Sequence, residues 1–187
     1  MRIHAIVPCT EVEGPGRRFA IWTQGCDILC PGCFNTQAQS ITGGYDMSID
    51  EIMQRILLGA DKHYLTGVTI AGGEPLLQVL ELDALLTRIK RTNLNIMLYT
   101  GRKLAEISWP ISDVIRKADI LISEPFVKSL APDSRRWVGS TNQIISFFNE
   151  SLKEKLTPWP LEDHKSEIII GDDDITICGN AVDLIGE

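Results

Sequence analysis

Three cysteines lie in one short segment of the chain, in the pattern C-x3-C-x2-C. Cys26, Cys30 and Cys33 fall within eight residues, and no obvious fourth ligand stands near them. Thiolates are soft ligands that suit zinc and iron–sulfur clusters. Three thiolates on a four-iron cluster would leave one iron open, so the segment predicts either a closed structural site or an open catalytic one.

The composition favours one folded domain in a reducing compartment. The chain has 187 residues, 44% of them hydrophobic, and a net charge of −7, which gives no general reason to expect nucleic-acid binding. It shows no secretory signal and no apolar run long enough to cross a membrane. We therefore expect a single domain over residues 1–187, located in the cytoplasm. Clustered cysteines in such a chain favour metal binding over disulfides, and Cys9 and Cys178 are interpreted as ordinary thiols.

Apolar patterning predicts strands that alternate with helices. Strands are expected at 18–24, 68–71, 94–99, 119–122, 144–148, 167–170 and 174–178, the last two paired across an acidic turn at 171–173, and helices at 49–57, 79–90 and 109–117. Ser48 and Glu51 form a predicted capping box before the first helix. This alternation implies an α/β fold with a mainly parallel sheet. Because the chain is short for eight βα units, we predict a partial (β/α) barrel.

Three chemically distinct segments directly follow predicted strands. They are the cysteine loop 26–33, the run Gly72-Gly73-Glu74-Pro75, and Thr100-Gly101. Ligands bind beyond the carboxyl ends of parallel strands, so we expect the three segments to meet at one rim of the sheet. Glycines let a backbone approach a ligand closely, and the Glu74 carboxylate can accept hydrogen bonds from an ammonium group. The alternative is a plain turn with a solvated Glu74.

Two other assignments of the cysteines stay open at this point. A structural zinc site normally takes four ligands, and Cys9 could supply the fourth because the histidines are remote in sequence. A redox pair formed by Cys30 and Cys33 is also possible, but it leaves Cys26 without a role.

The cysteine segment and its surroundings resemble the radical S-adenosylmethionine superfamily. The matching stretches read GCDILCPGCFN at 25–35 and EGPGR at 13–17. Within the superfamily, the chain is most similar to the short activating enzymes of anaerobic ribonucleotide reductase. The resemblance implies a 4Fe–4S cluster on Cys26, Cys30 and Cys33, whose fourth iron binds the amino and carboxylate groups of S-adenosylmethionine.

The same resemblance assigns cofactor contacts to the other two rim segments. Gly72, Gly73, Glu74 and Pro75 match the family's Gly-Gly-Glu-Pro motif, which contacts the methionyl amino group of S-adenosylmethionine. Thr100 lies in a segment similar to one at the next strand end of the family. The resemblance therefore implies that these five residues bind the cofactor.

The chain departs from the family pattern at Ser123 and Glu124. The reductase activases usually read Asp-Gly-Pro-Phe where this chain has Ser-Glu-Pro-Phe at 123–126. The carboxylate is displaced by one residue, and a shift of one residue along a strand turns a side chain to the other face. Glu124 is thus a candidate to replace the usual aspartate. Its side chain is expected to point in a different direction from that of the aspartate.

The function that the resemblance implies is radical formation. Such an enzyme reductively cleaves S-adenosylmethionine to a 5′-deoxyadenosyl radical, which removes a hydrogen atom from a glycine of a partner glycyl-radical enzyme such as anaerobic ribonucleotide reductase. An electron donor such as flavodoxin or ferredoxin is a second implied partner, whereas nucleic acid and membrane are not expected. The step needs no acid–base pair, so no catalytic side chain is predicted beyond the cluster and S-adenosylmethionine.

Two alternative functions remain. The first is a short radical S-adenosylmethionine enzyme that modifies another peptide or a small metabolite, which the departure at Glu124 keeps open. The second is a non-catalytic zinc or iron–sulfur interaction module. Glu74 in its Gly-Gly-Glu-Pro context argues against such a module, because a structural metal site has no use for an ammonium acceptor.

Overall fold

The described part of the chain forms one large sheet, a separate hairpin and four α-helices. The computed structural model describes residues 1–132, 134–161, 166–170 and 175–179. Its strands are β1 (Arg2–Thr10), β2 (Arg18–Thr23), β3 (Tyr45–Asp46), β4 (Gly67–Gly72), β5 (Asn95–Tyr99), β6 (Ile120–Ser123), β7 (Ile144–Phe147), β8 (Ser166–Ile170) and β9 (Ile175–Gly179). Its helices are α1 (Ile49–His63), α2 (Val79–Ile89), α3 (Ile111–Ile115) and α4 (Glu150–Lys155).

The large sheet has a parallel centre with antiparallel strands on both sides. Its spatial order is β3-β1-β2-β4-β5-β6-β7. The strands β2, β4, β5 and β6 are parallel neighbours, whereas β1, β3 and β7 pair antiparallel. The edge strands β3 and β7 do not pair with each other within the described residues, so the sheet is open. The predicted α/β class is confirmed, with a parallel central sheet that closes only part of a barrel.

Helices α1, α2 and α3 cover one face of the sheet, called the helix face below. The predicted capping box is confirmed at the start of α1, where the Glu51 N–H donates to Ser48 Oγ and the Ser48 N–H donates to the Glu51 carboxylate. The buried side chains of this layer include Ile52 and Ile56 of α1, Leu82, Leu85 and Leu86 of α2, and Ile21, Ile70, Leu98 and Leu121 of the strands. This layer is the main hydrophobic core.

The opposite face of the sheet, called the inner face below, is also covered. Its strand residues are Ala20, Trp22, Ala71, Met97, Ile120 and Ile122. Val12 and Cys178 pack on one half, and Trp137, Val138 and Trp159 on the other. Burial on both faces explains why the central strands read as continuous apolar runs.

The first strand is the main element that the sequence pattern does not predict. Its register against β2 shifts between Ile3 and Ala5 and again between Val7 and Thr10, which breaks the regular alternation of buried side chains. Pro8 is tolerated because β3 pairs with β1 only at its first residues. The predicted terminal strand pair is confirmed by β8 and β9, whereas the expected turn at 171–173 lies outside the described residues.

A buried arginine ties together the amino-terminal ends of three parallel strands. Arg18 is fully buried. Its Nε donates to Thr69 Oγ1 at 2.6 Å, its Nη1 to Asn95 Oδ1 at 2.7 Å and to the Pro15 carbonyl at 3.1 Å, and its Nη2 to the Val68 carbonyl at 2.7 Å. Burial lowers the pKa of Arg18 to about 10. The Arg18 guanidinium loses its contact with water on burial, and it donates instead to acceptors of β4, β5 and the 13–17 segment.

Replacing Arg18 should therefore destabilise the fold. In Arg18→Met, the Val68 carbonyl and the Asn95 amide lose their partners, and we expect the free energy of unfolding to fall by about 3 kcal/mol. Arg17→Met is the matched control, because Arg17 is exposed, and it should change stability by less than about 0.5 kcal/mol. Urea unfolding measures both, and equal stabilities of the two variants would refute the role given to Arg18.

Candidate metal centre and cofactor rim

The cysteine segment is a closed loop at the carboxyl end of β2. The Gly25 N–H donates to the Ala38 carbonyl at 2.8 Å, and the Cys26 N–H to the Gln39 carbonyl at 3.0 Å. Gln24, which is 3% exposed, spans the base of the loop through its amide, which donates to the carbonyls of Gln37 at 3.1 Å and Ser40 at 2.7 Å. The two ends of the loop are thereby held together.

The three cysteine side chains are partly exposed within this loop. The Cys33 N–H donates to the Cys30 carbonyl at 3.2 Å, which forms a tight turn. Burial raises the pKa of the Cys30 thiol, as do the neighbouring Cys33 and Cys26, whereas a hydrogen bond from the Phe126 N–H opposes this effect. The Phe126 N–H donor to the Cys30 sulfur suits a thiolate that a metal cluster would neutralise.

The structure does not itself arrange a metal site. Within the described residues, no three His, Cys, Asp or Glu side chains stand in positions that could hold a metal ion. Ligation by Cys26, Cys30 and Cys33 therefore stays a prediction, supported by their place in one short loop. Cys9 lies on β1 and packs against the core of the helix face, and Cys178 is 1% exposed on the inner face, which agrees with their interpretation as ordinary thiols.

The cysteine loop contacts the segments that follow β5 and β6. Asp27 accepts two hydrogen bonds from the Arg102 guanidinium, at 2.6 and 2.8 Å. The rings of Phe34 and Phe126 lie 4.9 Å apart between centroids. Gly101 leaves room for Ile28, since a Cβ at Gly101 would lie 2.7 Å from Ile28 Cδ1. The predicted meeting of these segments at one rim is confirmed.

The two glycines of the Gly-Gly-Glu-Pro run lie directly against the base of the cysteine loop. Gly72 has a φ of +117°, and a Cβ there would collide with the backbone of Thr23. A Cβ at Gly73 would collide with the Gly25 carbonyl. The Gly73 N–H donates to the Thr23 carbonyl at 2.9 Å, and the Glu74 N–H to the Gly25 carbonyl at 2.8 Å. The close approach that these glycines permit is therefore to the protein's own backbone.

Glu74 is fully buried and joins the end of β4 to the end of β5. Its Oε1 accepts hydrogen bonds from the Leu76 N–H at 2.9 Å and from Thr100 Oγ1 at 2.8 Å, and its Oε2 accepts one from the Gly101 N–H at 2.8 Å. Burial raises the pKa of Glu74, and these three donors and the nearby Arg102 oppose the rise. The plain turn with a solvated Glu74 is thus wrong, because the carboxylate is enclosed.

The five predicted cofactor residues are brought together, but two of them are engaged with each other. Thr100 is 3% exposed and donates its hydroxyl to Glu74, and Pro75 begins a short 3₁₀ helix, Pro75–Gln78, that Glu74 caps. Contact of Gly72, Gly73 and the others with S-adenosylmethionine stays a prediction. The geometry gives Glu74 and Thr100 an architectural role that sequence reasoning did not assign.

Glu124 occupies the position at which the resembled activases have glycine. It adopts a left-handed backbone with φ +83°, which costs about 1 kcal/mol or more for a residue with a side chain. Its Oε1 accepts the Leu104 N–H at 2.9 Å, and its N–H donates to the Arg102 carbonyl at 3.1 Å. Ser123, at the usual aspartate position, is fully buried, and its hydroxyl has no partner within the described chain. The Glu124 carboxylate thus holds the segment after β5.

Gln24 and Gln78 are rim residues that sequence reasoning missed. Gln78 donates its amide to the carbonyls of Arg2 at 2.9 Å and Gln24 at 3.2 Å, and it accepts the Arg2 N–H at 2.6 Å. His4 Nδ1 lies 2.9 Å from Gln24 Oε1. One feature of the sequence indicates a role for Gln24: it is a polar residue that ends an apolar strand just before the first cysteine.

The Glu74 carboxylate should be necessary for a stable rim. In Glu74→Gln, the new amide N–H₂ would face the N–H of either Gly101 or Leu76, so we expect a loss of about 2 kcal/mol in the free energy of unfolding. Glu81→Gln is the matched control, since Glu81 is exposed on α2. Urea unfolding of both variants decides the point, and a Glu74→Gln stability equal to that of the control would contradict the enclosed bridge.

The described residues contain no helix with the length and apolar character needed to cross a membrane.

The family described as the 4Fe-4S single cluster domain matches residues 12–146, which include the cysteine loop and the rim. Among solved structures, the chain is similar to QueE from Escherichia coli, with a TM-score of 0.44 and 15% identity, over 87% of this chain and 78% of the other.

Two relatives illustrate the sequence similarity. The anaerobic ribonucleoside-triphosphate reductase-activating protein of Salmonella typhimurium is 30% identical over 151 residues, which cover 78% of this chain and 97% of the relative. The protein of the same name from Haemophilus influenzae is 32% identical over 148 residues, which cover 75% and 94%. The resemblance seen in the sequence is thereby confirmed. The chain belongs to the 4Fe-4S single cluster domain family and to the family of anaerobic ribonucleoside-triphosphate reductase-activating proteins.

Proposed function

We propose that this chain is a radical S-adenosylmethionine enzyme that activates an anaerobic ribonucleotide reductase by forming a radical on one of its glycines. The observation that carries the proposal is the contact of the three-cysteine loop with the Gly72–Pro75 segment, in a chain that matches activating proteins over nearly their whole length. A structural metal module would need the cysteine loop but not this second segment.

The protein residues hold and orient the cofactors. Cys26, Cys30 and Cys33 are the three thiolate ligands of a 4Fe–4S cluster, and S-adenosylmethionine binds next to it at the rim. A reduced cluster held there would supply one electron to the sulfonium of S-adenosylmethionine, whose bond between sulfur and the 5′ carbon would break to give methionine and the 5′-deoxyadenosyl radical, and this radical would take a hydrogen atom from the substrate glycine. No side chain needs to transfer a proton in this step.

The rim contributes rigidity. The contact of Gly73 and Glu74 with Gly25 fixes the loop relative to β4. The Asp27–Arg102 ion pair and the Phe34–Phe126 ring contact fix the other side of the loop relative to the segments after β5 and β6. A site held on several strand ends keeps its ligands in place better than an isolated loop does.

The electron is proposed to come from a small redox protein such as a flavodoxin or ferredoxin. Two apolar side chains beside the cysteines, Leu29 and Phe34, are 57% and 52% exposed, and Leu29 adopts a left-handed φ of +52°. These features support a contact surface for a donor close to the cluster. All five cysteines are free thiols, which supports a reducing, cytoplasmic location, and the net charge of −7 offers nucleic acid no general attraction.

A second candidate function is modification of another peptide or of a small metabolite by the same chemistry. It is favoured by Ser123 and Glu124, which stand where the reductase activases usually carry Asp-Gly. Incubation with the full-length reductase separates the two candidates. Formation of a glycyl radical signal in electron paramagnetic resonance supports reductase activation, whereas S-adenosylmethionine cleavage without that signal supports the second candidate.

Replacing a single cysteine of the loop should abolish cluster assembly. After anaerobic reconstitution, we expect about four iron atoms per wild-type chain, and none retained stably in Cys30→Ala, because two thiolates cannot hold the cluster. The Cys30→Ala chain should also form no 5′-deoxyadenosine. Iron analysis and chromatography of the products measure both quantities.

Cys9→Ala is the matched control for that experiment. If the three loop thiolates suffice, this variant keeps its iron and its turnover. Loss of metal in Cys9→Ala together with zinc in the wild-type chain would contradict the proposal and support a four-ligand zinc site.

A further inference from the structure

The β8–β9 hairpin lies on the inner face of the sheet and follows the residues that the family match covers. That match ends at residue 146, and the hairpin strands are Ser166–Ile170 and Ile175–Gly179. Cys178 is 1% exposed in the cluster that contains Trp22 and Ala71, and Ile169 packs against the same cluster. Trp22 and Ala71 immediately precede Thr23 and Gly72, so the hairpin lies beside the proposed cofactor rim.

Polar contacts fasten the hairpin to the segment that connects β1 to β2. Glu167 Oε2 accepts the Thr10 hydroxyl at 2.6 Å, and its Oε1 accepts the Glu11 N–H at 3.1 Å. The Gly179 N–H donates to Glu13 Oε1 at 2.6 Å. The partners of these three hydrogen bonds all lie within residues 10–13, at the end of β1 and the start of the connecting segment, so one short stretch of chain anchors the hairpin.

The contact between Glu13 and Gly179 is exposed, and it places a glycine of this chain next to Cys178 of the inner-face cluster. Gly179 has a φ of +82°, which favours glycine over other residues. Burial raises the pKa of Glu13 to about 7, and the Gly179 N–H opposes that rise. The substrate in the proposed function is also a glycine within a peptide, and its backbone N–H is the same donor that Gly179 presents.

Within the described residues, side-chain packing and polar contacts hold the hairpin, whereas strand pairing to the large sheet does not. In the described part of the chain, β8 and β9 pair only with each other, and an isolated two-stranded hairpin is marginally stable. A cleft of about 600 Å³, open to solvent, lies beside it and is lined by Val12, Gly16, Trp137, Leu156 and Glu167 among others. Imperfect packing of this kind lowers the cost of removing the hairpin.

We propose that the β8–β9 hairpin is a displaceable occupant of the inner face, which holds the place of an extended, glycine-bearing segment of the reductase until that partner binds. The inference rests on the proposed function, because the reductase is the displacing partner. The partner segment would take over the apolar surface around Trp22 and the acceptor at Glu13. Activation would then include a cost for opening the hairpin, which raises the reductase concentration needed for half-maximal rate.

Cys178 reports directly on the position of the hairpin. The full-length chain, loaded with its cluster under anaerobic conditions, is treated with iodoacetamide, and peptide mass spectrometry follows the alkylation of Cys178 and of Cys9. Cys9 is the internal reference for opening of the whole fold, because it lies on β1 and packs against the core of the helix face. Burial and, more weakly, Glu167 of the hairpin raise the pKa of Cys9, so a small change in its rate accompanies departure of the hairpin. We expect saturating full-length reductase to accelerate alkylation of Cys178 about tenfold and that of Cys9 less than about twofold.

A variant of the hairpin anchor tests the same point without the partner. Glu167→Ala removes both hydrogen bonds to Thr10 and Glu11, whereas Glu154→Ala removes an exposed carboxylate on α4 and serves as the control. Because burial, Glu13 and Glu167 all raise the pKa of Cys178, hydrogen exchange of the β8 and β9 backbone replaces alkylation as the readout here. Glu167→Ala should accelerate this exchange about tenfold. It should also lower the KM for the reductase by a similar factor, with kcat unchanged, whereas Glu154→Ala should change none of these quantities.

The outcomes separate this inference from the proposed function. If a glycyl radical forms while Cys178 stays as protected as in the free chain, or becomes more protected, the hairpin is not displaced and the inference is overturned, although the proposed function stands. A Glu167→Ala variant that matches the control, or one that raises KM, overturns the inference as well. If S-adenosylmethionine is cleaved but no glycyl radical forms, the proposed function fails and takes the inference with it.

Discussion

The enclosed carboxylate of Glu74 is the interaction on which the arrangement of the rim depends. A carboxylate removed from water without partners is very unfavourable, and three donors from two strand ends offset that cost here. One of these donors is the N–H of Gly101, which is in van der Waals contact with the cysteine loop through Ile28. The buried Glu74 carboxylate thus has a hydrogen-bond donor for each oxygen only when the end of β4 and the end of β5 are both in place beside the cysteine loop.

The two faces of the sheet serve different purposes. The helix face is a core of mainly aliphatic side chains on which the strands and helices α1, α2 and α3 pack. The inner face is covered by connecting segments, by the aromatic residues Trp137 and Trp159, and by a hairpin beyond the family match. The cover of the inner face, which includes Leu152 of the short helix α4, is less regular than the three-helix layer on the other side, and this face is the side on which the proposed protein substrate would approach the rim.

Much of this architecture can be predicted from the sequence, because local patterns carry it. The capping box at Ser48 and the apolar strand runs identify the βα units, and the order of those units places the cysteine loop and the Gly72–Pro75 segment at one edge. The role of Glu74 cannot be predicted in this way, because its partners Thr100 and Gly101 are 26 and 27 residues away. The bulged β1 escapes pattern recognition for a related reason, since its register is set by β2.

The central claim is that three thiolates leave one iron of the cluster open for S-adenosylmethionine at this rim. Mössbauer spectroscopy of the ⁵⁷Fe-reconstituted chain, recorded with and without S-adenosylmethionine, tests it most directly. The account predicts that addition of S-adenosylmethionine changes the spectrum of one iron in four, because only that iron gains nitrogen and oxygen ligands. A spectrum that is the same with and without S-adenosylmethionine, or a chain that takes up zinc in place of iron, would contradict it.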